Sequence, residues 1–192
     1  MSKETATRPT KLYFSIVFTV VFFISLILLI CWLSLRPHEP KFHVHNFSVL
    51  GLADHGFESV RFVYNVSVRN SNRRVGISYD TLTTAIYHNG RPIGITPSFN
   101  SFDQEPKTTL YISHVLTGGA IAAAAGSGDT WKEIVGDRGS GKVEFQLELR
   151  TSLRYERTMW DLRRHGVRAK CQVPVGGDGA LLAGYVGQEC PS

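Results

Sequence analysis

A chain of 192 residues with 43% hydrophobic residues has room for about one ordinary domain once any targeting or membrane segment is subtracted. Of its formal charge of +5, two units sit in a short N-terminal tail where Lys3, Arg8 and Lys11 outweigh Glu4. The mildly basic remainder gives no ground for a nucleic-acid partner.

After the tail (residues 1–11), the run LYFSIVFTVVFFISLILLICWLSL, Leu12 to Leu35, carries no charged side chain. At about 1.5 Å rise per residue its roughly 24 positions exceed the thickness of a bilayer's hydrocarbon core. A cleaved signal peptide would have a shorter apolar region ending at a small-residue site, and the flank here reads CWLSLRPHEP. A buried core helix would keep a polar stripe, which Ser15, Thr19, Ser25 and Ser34 do not make. We therefore expect an uncleaved, integral single span at 12–35, a cytosolic tail before it and a linker at 36–41. Basic residues on the two flanks are nearly balanced. The sequons Asn46-Phe47-Ser48 and Asn65-Val66-Ser67 both follow the span and favour an outer position for what comes next.

From Lys41 onward the hydrophobic period becomes two. Val60, Phe62, Tyr64, Val66 and Val68 alternate with Arg61, Val63, Asn65, Ser67 and Arg69, which puts Asn65 on the wet face of a strand. Val143, Phe145, Leu147 and Leu149 repeat the pattern. Further strands are expected at 42–50, 76–79, 82–87, 110–116, 153–159 and 167–173, with Asn89-Gly90 as a hairpin turn. Thr130 to Glu133 has capping-box spacing, so a short helix is expected to start there and stop at Gly136; the Ala- and Gly-rich stretch before it reads as a connection. Cys31 lies in the apolar run, which leaves Cys171 and Cys190 as an even pair. An oxidising compartment would join them across a Gly-rich segment able to fold back. Strands at this spacing indicate a β-sandwich over 42–175, followed by a Gly-rich C-terminal tail at 176–192.

The stretch RNSNRRVGISYD, Arg69 to Asp80, resembles the Asn-Pro-Asn turn and Gly-Ile-Tyr-Tyr-Asp strand of plant membrane proteins of the disease-resistance and harpin-induced-like family, which carry a late-embryogenesis-abundant type 2 domain. Asn70 and Asn72 match the two asparagines; Gly76, Ile77, Tyr79 and Asp80 match the strand. Ser71 stands where the pattern has proline and Ser78 where it has tyrosine. The likeness continues through KTTLYISHVLTG, VEFQLELRTSLRYE and Cys171, while the Ala- and Gly-rich insertion before Trp131 departs from it. The resemblance implies a mainly β, fibronectin-type-III-like sandwich with one short helix, and a role in plant defence or stress signalling. Read physically, Asn70 and Asn72 suit a tight corner, and Gly76 marks a bulge or a close backbone approach.

No nucleophile elbow, phosphate-binding glycine loop or metal-ligand cluster is present in the sequence, so neither an enzyme nor a cofactor is expected. His43 and His45 would share a strand face, and Asn89-Gly90-Arg91 and Asp137-Arg138-Gly139 are explained as turns. Arg150, Arg154, Arg157, Arg163, Arg164, Arg168 and Lys170 gather late in the chain. They form either a solvated face or, outside a plant cell, a contact for acidic cell-wall polysaccharide. The expectation is a non-enzymatic protein of the plasma membrane, plasmodesmata included, that binds other membrane or extracellular proteins. Its rival is a lipid-handling domain with an apolar groove.

Overall fold

The computed structural model describes residues 8–52, 59–96, 100–117, 127–156 and 163–191. Its uncharged run is one helix, α1 (Arg8–Leu35), and within it Lys11–Leu33 is long and apolar enough to cross a membrane. Its large side chains are exposed on every face, with Phe18 at 74% and Leu28 at 64%. That is the surface a lipid-facing helix presents, whereas a core helix would bury one side. The rest, His38–Ser192, is a separate unit.

Among the described residues of this second unit there are nine strands: β1 (Lys41–Leu50), β2 (Arg61–Arg69), β3 (Ile77–His88), β4 (Arg91–Ile95), β5 (Phe102–Gln104), β6 (Thr109–Thr117), β7 (Lys142–Tyr155), β8 (His165–Gly176) and β9 (Gln188–Cys190). One sheet has the order β6-β2-β1-β9; the other runs β4-β3-β7-β8, with β5 also paired to β3. Alternation decides the faces. Phe42, Val44, Phe47, Val49, Phe62, Tyr64, Val66 and Val68 of the first sheet and Leu82, Ile86, Val143, Phe145, Leu147, Leu149, Val173 and Val175 of the second are all buried in one core. At its centre the rings of Phe47, Phe62 and Phe145 lie 5.7 to 6.3 Å apart in pairs. Burying each such side chain contributes about 2 to 3 kcal/mol, and the edge-on contact of Phe62 with Phe145 adds to it. The two sheets thus form the sandwich that the period-two pattern implies.

The β3–β4 hairpin turns on Asn89 and Gly90, both at positive φ, as the Asn-Gly pair predicts. Four sequence-based boundaries shift. The segments expected at 76–79 and 82–87 are one strand, β3, interrupted by a bulge at Asp80. Those expected around 143–150 and 153–159 are likewise one strand, β7, which ends at Tyr155; residues 157–159 lie outside the described residues. The second helix, α2 (Ser127–Arg138), begins before Thr130 and runs through Gly136. Thr130, Trp131 and Ile134 dock against the sheets, and that burial, not the capping box, fixes its position. Of the Ala- and Gly-rich stretch, residues 118–126 lie outside the described residues.

The fourth shift concerns 176–192, which is not a tail: its described residues are stitched to the first sheet. Gly179 O accepts from Val49 N at 2.8 Å, Leu181 N donates to Phe47 O at 2.9 Å, and β9 pairs with Phe42–Val44. Gly179 has φ near 79°, and a Cβ there would collide with the Val49 carbonyl oxygen, so glycine here permits close docking rather than slack.

Candidate functional site

Four groups of residues were singled out by sequence, and the fold sorts them into structural parts and surfaces. The turn after β2 is the most thoroughly hydrogen-bonded. Asn70 is fully buried: its Oδ1 accepts from the Asn72 backbone N–H and from Asn72 Nδ2, both at 3.0 Å, and its Nδ2 donates to Val75 O at 2.9 Å and Glu105 O at 3.3 Å. Asn72 reaches back to where the chain enters the sandwich. His38 N–H donates to Asn72 Oδ1 at 2.7 Å, and Asn72 Nδ2 donates to His38 O at 2.8 Å. One side chain therefore stands in for the backbone pairing of an extra strand residue.

Beside it, Gln104 Nε2 donates to Val68 O and Thr108 O, and its Oε1 accepts from the Tyr79 hydroxyl at 2.8 Å. Burial foremost, with the neighbouring Tyr155 second, pushes the Tyr79 hydroxyl well above the usual tyrosine range. Gly76 is a close approach, because an added Cβ would lie 2.7 Å from Glu156 Oε2 and 3.4 Å from Gln104 O. Ile77 and Tyr79 point into the core, and Asp80 is the bulge residue. The turn motif is thus a three-way clamp joining the start of the sandwich, the β2–β3 corner and the β5–β6 corner. It presents no reactive group to solvent.

Cys171 of β8 and Cys190 of β9 form a disulfide. Because β8 edges one sheet and β9 edges the other, the bond staples the two layers together.

The two sequon asparagines are register partners across β1 and β2, on the outer face of the first sheet. Asn46 is exposed beside a bulge at His45. Asn65 is half-buried between β1 and β6, its Oδ1 buried without a hydrogen-bond partner among the described residues. On the same face, His45 Nε2 and Ser67 Oγ are 2.8 Å apart and His43 lies 3.9 Å from Glu189. Among the described residues no group of three or more His, Cys, Asp or Glu could hold a metal ion.

Of the late basic residues, Arg150, Arg154, Arg164, Arg168 and Lys170 converge on the outer face of the second sheet; Arg163 is exposed just before β8, and Arg157 lies outside the described residues. Arg150 and Arg168 are direct cross-strand neighbours. Between them Glu148 is buried, its side chain only 5% exposed; its Oε1 accepts from Arg150 Nε and lies 3.1 Å from Arg168 Nε as an ion pair. That hydrogen bond to Glu148 is the foremost reason the Arg150 guanidinium is held above its ordinary pKa. Further along, Asp80 is bracketed in the same way: Arg154 Nη2 donates to Oδ1 at 3.0 Å, and Arg164 Nε lies 3.1 Å from Oδ2 as an ion pair. Lys170 is paired in register with Glu148. The alternation in KVEFQLELR reveals which face these residues take. Glu148 lies in the same stretch and shares that face, but Asp80 could not be read from it, because it comes from another strand.

Comparison with known proteins bears on the whole chain. The family model described as late embryogenesis abundant protein (LEA_2) matches residues 65–171. In Arabidopsis thaliana, NDR1/HIN1-like protein 3 is 25% identical over 177 residues, covering 91% of this chain and 76% of that protein. Protein NDR1 from the same plant is 24% identical over 172 residues, covering 83% and 73%. The solution structure of a protein described as late embryogenesis abundant covers 92% of both chains at 12% identity, with a TM-score of 0.42.

Proposed function

From the premise that the chain belongs to the late embryogenesis abundant (LEA_2) family, we propose that it is a non-enzymatic, single-span protein of the plasma membrane whose sandwich stands outside the cell. There it binds membrane or extracellular partners in plant defence or stress signalling, the process that the likeness to disease-resistance and harpin-induced-like proteins implies. The anchor at α1 confines the domain to two dimensions, which raises its effective concentration for neighbours and lets individually weak contacts suffice. The observation that carries the outward orientation is the Cys171–Cys190 staple in the domain after the span, since such bonds persist in oxidising compartments. Both sequons lie on the same side of the span and support it.

Full-length protein in sealed plant microsomes tests the reading. The domain is expected to resist added protease and to carry a single glycosidase-sensitive increment. Asn46→Gln abolishes that increment and Asn65→Gln leaves it, because the exposed partner of the register pair takes the glycan and covers the half-buried one. A domain digested in sealed vesicles, with both late cysteines open to alkylation, overturns the orientation.

A further inference from the structure

We propose that the outer face of β7 and β8 is a binding track for an acidic, carboxylate-bearing polysaccharide; the choice of polymer rests on the extracellular reading above. Along this stretch Arg150, Arg154, Arg164, Arg168 and Lys170 share the face with Glu148 and Asp80, an excess of three positive charges, and the Lys142–Glu144 ion pair at the start of β7, on the same face, adds no net charge. A face that needed only solvation would interleave opposite charges. Instead two arginines stand directly opposite each other, an arrangement that costs stability on its own. Each carboxylate is sunk beneath a pair of arginines, 5% exposed for Glu148 and 19% for Asp80, while the arginine side chains above are 48% to 70% exposed. One arginine would neutralise each acid; the second is surplus. Arg164 and Arg168 each touch their acid through Nε, which holds the planar fork with its terminal Nη groups directed away from that contact and suits bidentate capture of carboxylate; Arg150 also spends Nη2 on the Tyr87 hydroxyl, and Arg154 reaches Asp80 through Nη2.

The spacing describes a line. Lys170, the Arg168/Arg150 pair and the Arg164/Arg154 pair follow one another along β7 and β8 and the residues just before β8. From residue 170 to residue 164 the track spans about 20 Å at ~3.3 Å per residue. Between the two arginine pairs, Ser152 faces Gly166, where nothing lies within 4 Å of an added Cβ. The surface dips there, giving a polymer backbone room to pass.

A small anion would be served by one cluster, whereas a repeating polyanion uses both. A membrane-docking face would set aliphatic or aromatic side chains among its cations. The neighbours in register here are mostly polar, Thr83, Gln146, Gln172 and Ser152, together with Ala85 and with Tyr87, whose hydroxyl accepts from Arg150 Nη2 at 3.1 Å; hydroxyl and amide groups suit sugar hydroxyls, and a tyrosine ring can stack on a sugar face.

The test uses the full chain in uncharged detergent micelles, with polygalacturonate, fully methyl-esterified polygalacturonate and phosphatidylcholine vesicles with or without phosphatidylserine as probes. Polygalacturonate is expected to bind in a salt-sensitive manner and its ester not to bind. Arg168→Gln with Lys170→Gln weakens binding at least about tenfold, the order expected for losing two charge contacts. Arg61→Gln with Arg69→Gln removes the same charge from the other sheet and leaves affinity within about twofold. Equal loss in both double variants reduces the effect to net charge and overturns the track, as does binding of the ester or a preference for anionic vesicles. Lost polymer binding with correct microsomal topology removes the track alone. Intact binding with a cytosolic domain removes the extracellular reading and, with it, the polymer as the physiological ligand.

Discussion

Asn72→Ala removes one side chain and unfastens the start of the sandwich. Three hydrogen bonds go: Oδ1 from His38 N–H, and Nδ2 to His38 O and to Asn70 Oδ1. At about 1 kcal/mol net each, the ceiling is about 3 kcal/mol. His38 is exposed and can recover water on both backbone groups, and Asn70 Oδ1 keeps the Asn72 backbone donor, so the expected loss is about 2 kcal/mol. For a domain of this size that lowers the thermal midpoint by about 4 to 8 °C.

Asn72→Asp separates the hydrogen-bond account from one of mere volume. It keeps an acceptor for His38 N–H, but turns a carboxylate oxygen toward two acceptors, His38 O and Asn70 Oδ1, and leaves a charge at a site 5% exposed. It should cost more than alanine despite its closer shape. Near-ultraviolet circular dichroism of full-length chain in detergent follows the melting, and amide exchange at His38 reports the clamp directly. The clamp is refuted if Asn72→Ala melts within about 0.5 kcal/mol of wild type, if Asp proves milder than Ala, or if His38 exchange is unchanged.

Two further outcomes follow from the same packing. Replacing Cys171 and Cys190 together by serine should cost about 3 kcal/mol for the loop that the bond closes, and amide exchange should rise first at Gln188–Cys190; uniform acceleration across both sheets would contradict an edge staple. The Tyr79 hydroxyl is held above its unfolded pKa of about 10, so its contribution is present below that pH and is lost as pH rises beyond it. The denaturant midpoint should therefore fall between pH 9 and 11 more steeply in wild type than in Tyr79→Phe, with some slope remaining because burial raises Tyr64 in the same direction; parallel slopes would refute the assignment.

What the sequence reveals depends on how far apart the partners lie. Val60 to Val68 and Val143 to Leu149 announce their faces because alternation is local, and Asn89-Gly90 announces a turn for the same reason. Alternation fails at the bulge: Tyr79 and Leu82 both point inward three residues apart, so one long strand reads as two short ones. β9 is three residues long, too short to show a period, and it exists because β1 and the disulfide hold it. Asn70 and Asn72 are legible as a corner, but not as a clamp, since Glu105 and His38 lie 35 and 34 residues away. The basic run is visible as composition. Its organisation into two arginine pairs needs the β7–β8 register and an aspartate from β3.

These parts combine along one mechanical route. The chain leaves α1 through a short linker, is pinned at His38 by Asn72 and continues into β1, whose edge partner is β9. Cys190 of β9 is bonded to Cys171 of β8, the strand that also carries Arg168 and Lys170. A polymer held on the proposed track would therefore load the anchor across a covalent bond between the layers, not only through packed side chains. The sequon pair sits on the opposite outer face, so a glycan there would leave the track open. On this account, reducing the disulfide leaves the track's charges in place and polymer affinity in free solution nearly unchanged. It weakens retention when the polymer is pulled against the membrane. Equal loss in both measurements would show that the bond shapes the track and does not merely carry the load.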